Sequence, residues 1–181
     1  ANHAAINAQK EHSLATPVHL VVSSDGAKLY VAAFGSGKIG VFDTADIESA
    51  NFESSFDPTV ESANYIPTSG GPSGIALDEA NNRLYVLTRF DNKVEVIDLA
   101  TKGTVETHIL FSAEPPEIVA GRRFLYDAVA TSGNGEATCS SCHIFADLDA
   151  NVWNLGNPDD EVTTNNIPSA VPLPSASTLA R

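Results

Sequence analysis

One group of residues in this sequence has the types and spacing to do chemistry by itself: Cys139-Ser140-Ser141-Cys142-His143. Two thiols three positions apart, followed at once by an imidazole, form the C-x-x-C-H pattern by which c-type haem is attached. The thiols add to the two vinyl groups of one porphyrin, and the histidine binds the iron from one face. The expected cofactor is therefore one covalent haem c, held by Cys139 and Cys142, with His143 as the proximal iron ligand. The same pair also reads as a disulfide, a redox C-x-x-C or half of a zinc site. Three facts weigh against those readings. The chain's two cysteines are both here. A structural zinc site needs four ligands, and no second cysteine or histidine pair lies nearby. The approach, Thr131-Ser132-Gly133-Asn134-Gly135, is a polar turn rather than the βαβ pattern that carries a thioredoxin-type motif.

The other face of the iron decides between electron carrier and enzyme. The chain has no methionine, so a methionine ligand would have to come from a partner. The remaining histidines are His3, His12, His19 and His108. His19 and His108 fall in predicted strands and read as structural. His3 and His12 lie in the N-terminal arm and are the candidates for the distal position, whose ligand the sequence leaves open. Two histidines would give a low-potential haem suited to electron transfer, whereas an empty face would suit small-molecule chemistry. No residue is assigned a catalytic role.

The element ahead of this motif is an internal repeat. Pro17-Val18-His19-Leu20-Val21-Val22, Lys28-Leu29-Tyr30-Val31 and Lys38-Ile39-Gly40-Val41-Phe42-Asp43 return 55 positions later. The second copy is Pro72-Ser73-Gly74-Ile75-Ala76-Leu77, Arg83-Leu84-Tyr85-Val86 and Lys93-Val94-Glu95-Val96-Ile97-Asp98. Each unit predicts three short strands, rich in β-branched and aromatic residues and separated by turn residues such as Asp25-Gly26 and Asn81-Asn82. A fourth strand is expected over Val105 to Phe111 in the second unit and within Phe52 to Ile66 in the first.

Tandem four-stranded antiparallel units are propeller blades. The runs Lys28-Leu29-Tyr30-Val31-Ala32 and Arg83-Leu84-Tyr85-Val86-Leu87, each followed by a Lys-x-x-Val-x-Asp strand, resemble blades of the bacterial surface-layer and lactonase-like β-propellers. Two blades do not close a ring, which takes about four to eight. Further blades, or a further cytochrome portion, are expected from another chain or from sequence beyond this one. The expected architecture is mainly β, with two four-stranded antiparallel blades as an incomplete ring. A small, mostly α or irregular cytochrome c-like segment follows. The parts are an N-terminal arm over 1–16, blades over 17–111, a linker over 112–120, a haem segment over 121–160 and an extended, proline-containing tail over 161–181. Ala4 to Lys10 predicts a short helix in the arm, and Pro115-Pro116 predicts a break in the linker.

The haem segment opens with Gly121-Arg122-Arg123-Phe124-Leu125-Tyr126-Asp127. Together with Ser132-Gly133-Asn134-Gly135 and the C-x-x-C-H, it resembles the first haem motif of the bacterial di-haem cytochrome c peroxidase and methylamine-utilisation family. The resemblance covers residues 121–160. It implies porphyrin attachment through Cys139 and Cys142, iron ligation by His143, and a short helix carrying Phe124, Leu125 and Tyr126 beside the haem. Arg122 and Arg123 are candidates for pairing with haem propionates, because guanidinium offers bidentate donors to carboxylates. The family's second C-x-x-C-H and peroxide site are absent here, so two-haem peroxidase chemistry is incomplete within this chain. The family also binds calcium. Asp147-Leu148-Asp149-Ala150-Asn151 starts like a calcium loop, but Val152 and Pro158 stand where the loop needs Gly and Glu. The lone Trp153 is expected to pack on the haem or the propeller.

The leading expectation is a haem redox protein that transfers single electrons. A fragment of a peroxidase-like oxidoreductase and a propeller scaffold with a structural haem are the alternatives. The net charge of −13 disfavours nucleic acid and suits a redox partner with a basic patch. No stretch is apolar enough to span a membrane. The polar opening Ala1-Asn2-His3 carries no signal peptide, as in a mature protein or a piece of a longer one. Covalent haem attachment in bacteria takes place outside the cytoplasmic membrane, so the c-type cytochrome resemblance implies a periplasmic or extracellular location.

Overall fold

The 55-residue repeat is built twice as the same sheet. In the computed structural model, the described residues are 8–50, 57–133, 135–143 and 147. Blade 1 contains β1 (Pro17–Val22), β2 (Lys28–Ala33), β3 (Lys38–Asp43) and β4 (Ile66–Pro67). Blade 2 contains β5 (Pro72–Asp78), β6 (Arg83–Thr88), β7 (Lys93–Asp98) and β8 (Gly103–Ile109). Each is a four-stranded sheet in sequence order, and every neighbouring pair is antiparallel. The fold is mainly β and propeller-like.

The repeat extends to fine detail. Shifting β2 and β3 by 55 lands on the bounds of β6 and β7. The bulge between Pro17 and His19 recurs between Pro72 and Gly74. Lys28 Nζ pairs with Asp43 at 2.7 Å, and Arg83 pairs with Asp98 at the equivalent positions. The turn before the third strand needs a left-handed residue. Gly37 (φ +62°) supplies it in blade 1 and Asn92 (φ +51°) in blade 2. Glycine and asparagine are the residues that tolerate this conformation best.

The fourth strands differ. In blade 2, β8 begins two residues before the expected Val105 and ends at Ile109. In blade 1 only Ile66 and Pro67 pair, with Ile39 and Lys38, at the last position of the expected window. The chain before them forms α2 (Thr44–Ile47), α3 (Pro58–Glu61) and a 3-10 turn over Ser62–Asn64. The Asp57 carboxylate accepts from the Thr59 N–H at 2.9 Å and Pro58 occupies the first turn, so α3 starts on a strong cap.

The core lies between the sheets. Blade 1 contributes Tyr30, Ala32, Ile39 and Ile66, and blade 2 contributes Ile75, Leu84, Val86 and Ile97. Burying such side chains is the main favourable term in holding the blades together.

The described part of the N-terminal arm is docked. Helix α1 (Ala8–His12) overlaps the expected Ala4 to Lys10 at its described residues, and residues 1–7 lie outside the described ones. Ala15 is 1 % exposed, and its N–H donates to Ser36 Oγ at 2.7 Å. Lys38 Nζ donates to the carbonyls of Lys10 and Glu11 at 2.9 and 2.7 Å. Burial there pushes the Lys38 ammonium below its ordinary pKa.

The expected 112–120 linker is shorter. Helix α4 (Pro116–Tyr126) starts inside it, followed by α5 (Ala128–Thr131). Pro116 sits in the first helical turn, where its missing N–H leaves no bond unmade. The proline pair therefore starts a helix instead of merely breaking the chain.

Candidate haem attachment site

The C-x-x-C-H is a capped tight turn. Thr138 precedes a 3-10 turn over Cys139–Ser141, and the Ser141 hydroxyl accepts from the Thr138 N–H at 3.1 Å. His143 N–H donates to the Cys139 carbonyl at 2.9 Å, closing the turn around the motif. Residues three apart stack on one side of such a turn, so the geometry sets Cys139 and Cys142 on a common face. Both are free thiols, Cys139 exposed and Cys142 half-buried. Among the described residues, no cluster of three His, Cys, Asp or Glu side chains is arranged to hold a metal ion.

His143 is held by its ring. Its Nδ1 lies 3.1 Å from the Asp147 carbonyl oxygen. A carbonyl only accepts, so Nδ1 carries the proton and the Nε2 lone pair is left for a metal. Ligating histidines are oriented by this kind of contact through their second nitrogen. The signal was absent from the sequence because any residue offers a backbone carbonyl.

The surroundings fit a porphyrin. Helix α4 lies against the cysteine turn. None of its residues is buried, and Phe124 is 77 % exposed. Two free thiols and an oriented imidazole are the donor set that a thioether-linked haem would use. Phe124, Leu125 and Tyr126 do lie on a helix, but Tyr126 turns to the blades. Its ring stands edge-on to Phe34 at 5.4 Å between centroids.

The site is fixed to one edge of the two-blade body. Phe34 also stacks edge-on with Phe90 at 5.2 Å, and both belong to turns between second and third strands. Thr138 is 5 % exposed. A Cβ on Gly35 would lie 2.6 Å from its methyl group, so the cysteine turn is seated on a glycine. From the arm, Lys10 Nζ donates to the Val129 carbonyl at 3.0 Å. The sequence reading missed Thr138, Gly35 and the Phe34–Phe90–Tyr126 cluster. These residues are far apart in the chain and carry no motif.

The two arginines are committed to the blades. Arg122 Nη1 donates to the Arg89 carbonyl at 2.6 Å and to Asn92 Oδ1 at 2.9 Å, and Nη2 pairs with Glu114. The paired guanidinium holds the Glu114 carboxyl below its ordinary pKa. Arg123 Nη2 donates to the Ser69 carbonyl at 3.0 Å, and its guanidinium lies 5.5 Å from the Phe90 ring centroid. The expected propionate role gives way to docking, because carbonyls and an acid on blade 2 and its flanks already take these donors.

The histidines scatter. His12 Nδ1 lies 2.6 Å from Ser62 Oγ. Its ring lines a cavity of about 360 Å³ with Leu14, Phe42 and Tyr65, and no residue of the cysteine turn joins that lining. The structure therefore does not bring His12 to His143. His19 Nδ1 accepts from the Ile75 N–H at 3.4 Å, and His108 lies 3.2 Å from exposed Glu106. His3, the calcium-like positions after Asp147, Trp153 and the tail lie outside the described residues. Among the described residues, no helix is long and apolar enough to cross a membrane.

No family model and no curated protein matches the chain. Among solved structures it is similar to hydrazine synthase of Kuenenia stuttgartiensis at 18 % identity and a TM-score of 0.42, covering 54 % of this chain and 24 % of that one. It is also similar to a chain of a nidogen/laminin complex at 14 % identity and a TM-score of 0.39, covering 54 % of this chain and 31 % of the other. The chain thus spans about a quarter to a third of these proteins' lengths.

Proposed function

We propose that this chain is a c-type haem redox protein that passes single electrons within a larger propeller–cytochrome assembly. The observation that carries the reading is the capped C-x-x-C-H turn, with free thiols and a His143 ring oriented by the Asp147 carbonyl. Cys139 and Cys142 would hold the porphyrin, and His143 would ligate its iron through Nε2. When bound, the haem supplies a one-electron ferric/ferrous couple. The chain's own residues keep the site rigid. Thr138 seats the turn on Gly35, and Arg122 and Arg123 clamp α4 to the blades. A rigid ligand frame suits electron transfer because it limits reorganisation between the two oxidation states.

The blades belong to the surface-layer and lactonase-like kind. The haem segment is a partial counterpart of the first haem motif of di-haem peroxidases. The reading places the chain in the periplasm or outside the cell, where haem c is attached. Its redox partner carries a basic patch that meets the −13 surface.

The test is an absorption spectrum of the purified holoprotein, oxidised and reduced, beside a peroxide turnover assay. A low-spin, six-coordinate spectrum without turnover is expected of a carrier. High-spin iron with peroxide turnover would overturn the carrier reading in favour of a peroxidase-like enzyme.

A further inference from the structure

The two blades meet through different faces. In blade 1, strand register sets Val21, Tyr30, Ala32, Ile39 and Val41 on one face. In blade 2, the face that meets them carries Ile75, Leu77, Leu84, Val86 and Ile97. The contact is head to tail, and the repeat copies both halves of it. Shifting the first set by 55 gives Ala76, Tyr85, Leu87, Val94 and Val96, on the outer face of blade 2. Shifting the second set back gives Leu20, Val22, Leu29, Val31 and Phe42, on the outer face of blade 1.

Equivalent residues are covered to different degrees, and part of the outer face of blade 2 is already shielded, Val96 being 6 % exposed. Tyr30 is 9 % exposed and Tyr85 is 40 %. Ile75 is 7 % exposed, whereas its counterpart Leu20 is 60 %, with Val22 at 46 %. A groove of about 470 Å³ runs beside Leu20 and Val31. The outer part of this face is covered by the chain itself, where Leu14 packs over Gly40 and Phe42. What stays open is the inner part, over β1 and β2. The internal interface uses the same part of blade 2, since β5 is the strand that meets β1 and β2.

We infer that copies of this chain join head to tail, the outer face of blade 2 in one copy covering the outer face of blade 1 in the next. The contact repeats the interface already present between the two blades, with side chains of the same kind at the same register. Heterologous contacts of this type close into rings when the rotation allows. A ring of about four to eight blades takes two to four copies. The inference depends on the fold alone and stands whether or not haem is attached.

The test is the mass of this two-blade chain in solution by light scattering or sedimentation equilibrium. A discrete oligomer of two to four copies is expected. Leu20→Asp and Tyr85→Asp should each give a monomer by destroying opposite halves of one contact. Mixed in equal amounts, they should form a dimer and nothing larger, because one intact face of each kind remains. That rescue also shows that both variants are folded. Where an aspartate variant does not fold, Leu20→Ser and Tyr85→Ser replace the pair. A wild-type protein that stays monomeric at its highest attainable concentration overturns the inference, whatever the variants do. So does an oligomer that survives both substitutions, or a mixture of folded variants that stays monomeric.

Discussion

Cys139, Cys142 and His143 depend on groups that no motif reveals. The Asp147 carbonyl fixes the His143 ring, and the Thr138 cap fixes the turn. On the proposed reading, His143→Ala should leave the haem covalently attached while the iron loses its axial nitrogen. The absorption spectrum of that variant should move to a high-spin form, with the chain mass still carrying one haem. Arg122 separates docking from cofactor contact. Its side chain is 10 % exposed, and its guanidinium bonds to Arg89, Asn92 and Glu114. Arg122→Ala should destabilise the protein by about 1.5–3 kcal/mol, the range for hydrogen bonds to charged groups. Denaturant unfolding measures this, and the haem potential should stay where it is. A shifted potential with unchanged stability would restore the propionate role. The attachment motif was legible because its chemistry lies within five consecutive residues. The arginines were misread because most of their acceptors lie 30 to 54 positions away and include backbone carbonyls.

Among the elements, the turns carry the pH dependence. Asp98 accepts from Thr101 N–H, Asp78 from the Asn81 side chain, and Asp25 from the Ser23 hydroxyl. Each carboxyl is held below its ordinary pKa, chiefly by those bonds. A carboxyl with a depressed folded pKa stabilises fully above its unfolded value of about 3.9 and loses that contribution as pH falls through the folded one. Melting temperature should therefore be flat above about pH 5 and fall steadily below about pH 4. A protein equally stable at both would contradict these turn assignments. The seat of the cysteine turn is as specific. Gly35→Ala puts a methyl carbon 2.6 Å from the Thr138 methyl group. It should cost about 1–3 kcal/mol by overpacking and loosen the cysteine turn, which limited proteolysis would report as new cleavage near 138. The strands were legible because apolar and turn residues recur at a period of 55, and register then follows from the pattern. The fourth strand of blade 1 was not, because its stretch lacks that periodicity and a capped helix starts at Pro58 instead. The helix over Phe124–Tyr126 was legible, but its start at Pro116 was not, since proline signals both a break and a first turn.

At the scale of the molecule, two blades hold one face each against the other and present one edge to the segment that carries the cysteine turn. The shared core explains why the pair acts as a unit. Leu84 is fully buried within it. Leu84→Ala should cost about 2–5 kcal/mol in unfolding free energy and open both blades together. Hydrogen exchange that slackened in blade 2 alone would contradict a common core. The incompleteness of the ring was legible from the number of repeats. The way the open faces complement each other emerged only once register had assigned each side chain to a face. The central claim is covalent haem on Cys139 and Cys142, and denaturing mass spectrometry of the purified chain tests it most directly. The expected mass is that of the chain plus one haem, lost in the Cys139→Ala/Cys142→Ala double variant. An unmodified mass, or the small deficit of a Cys139–Cys142 disulfide, from cells able to attach haem c would contradict it.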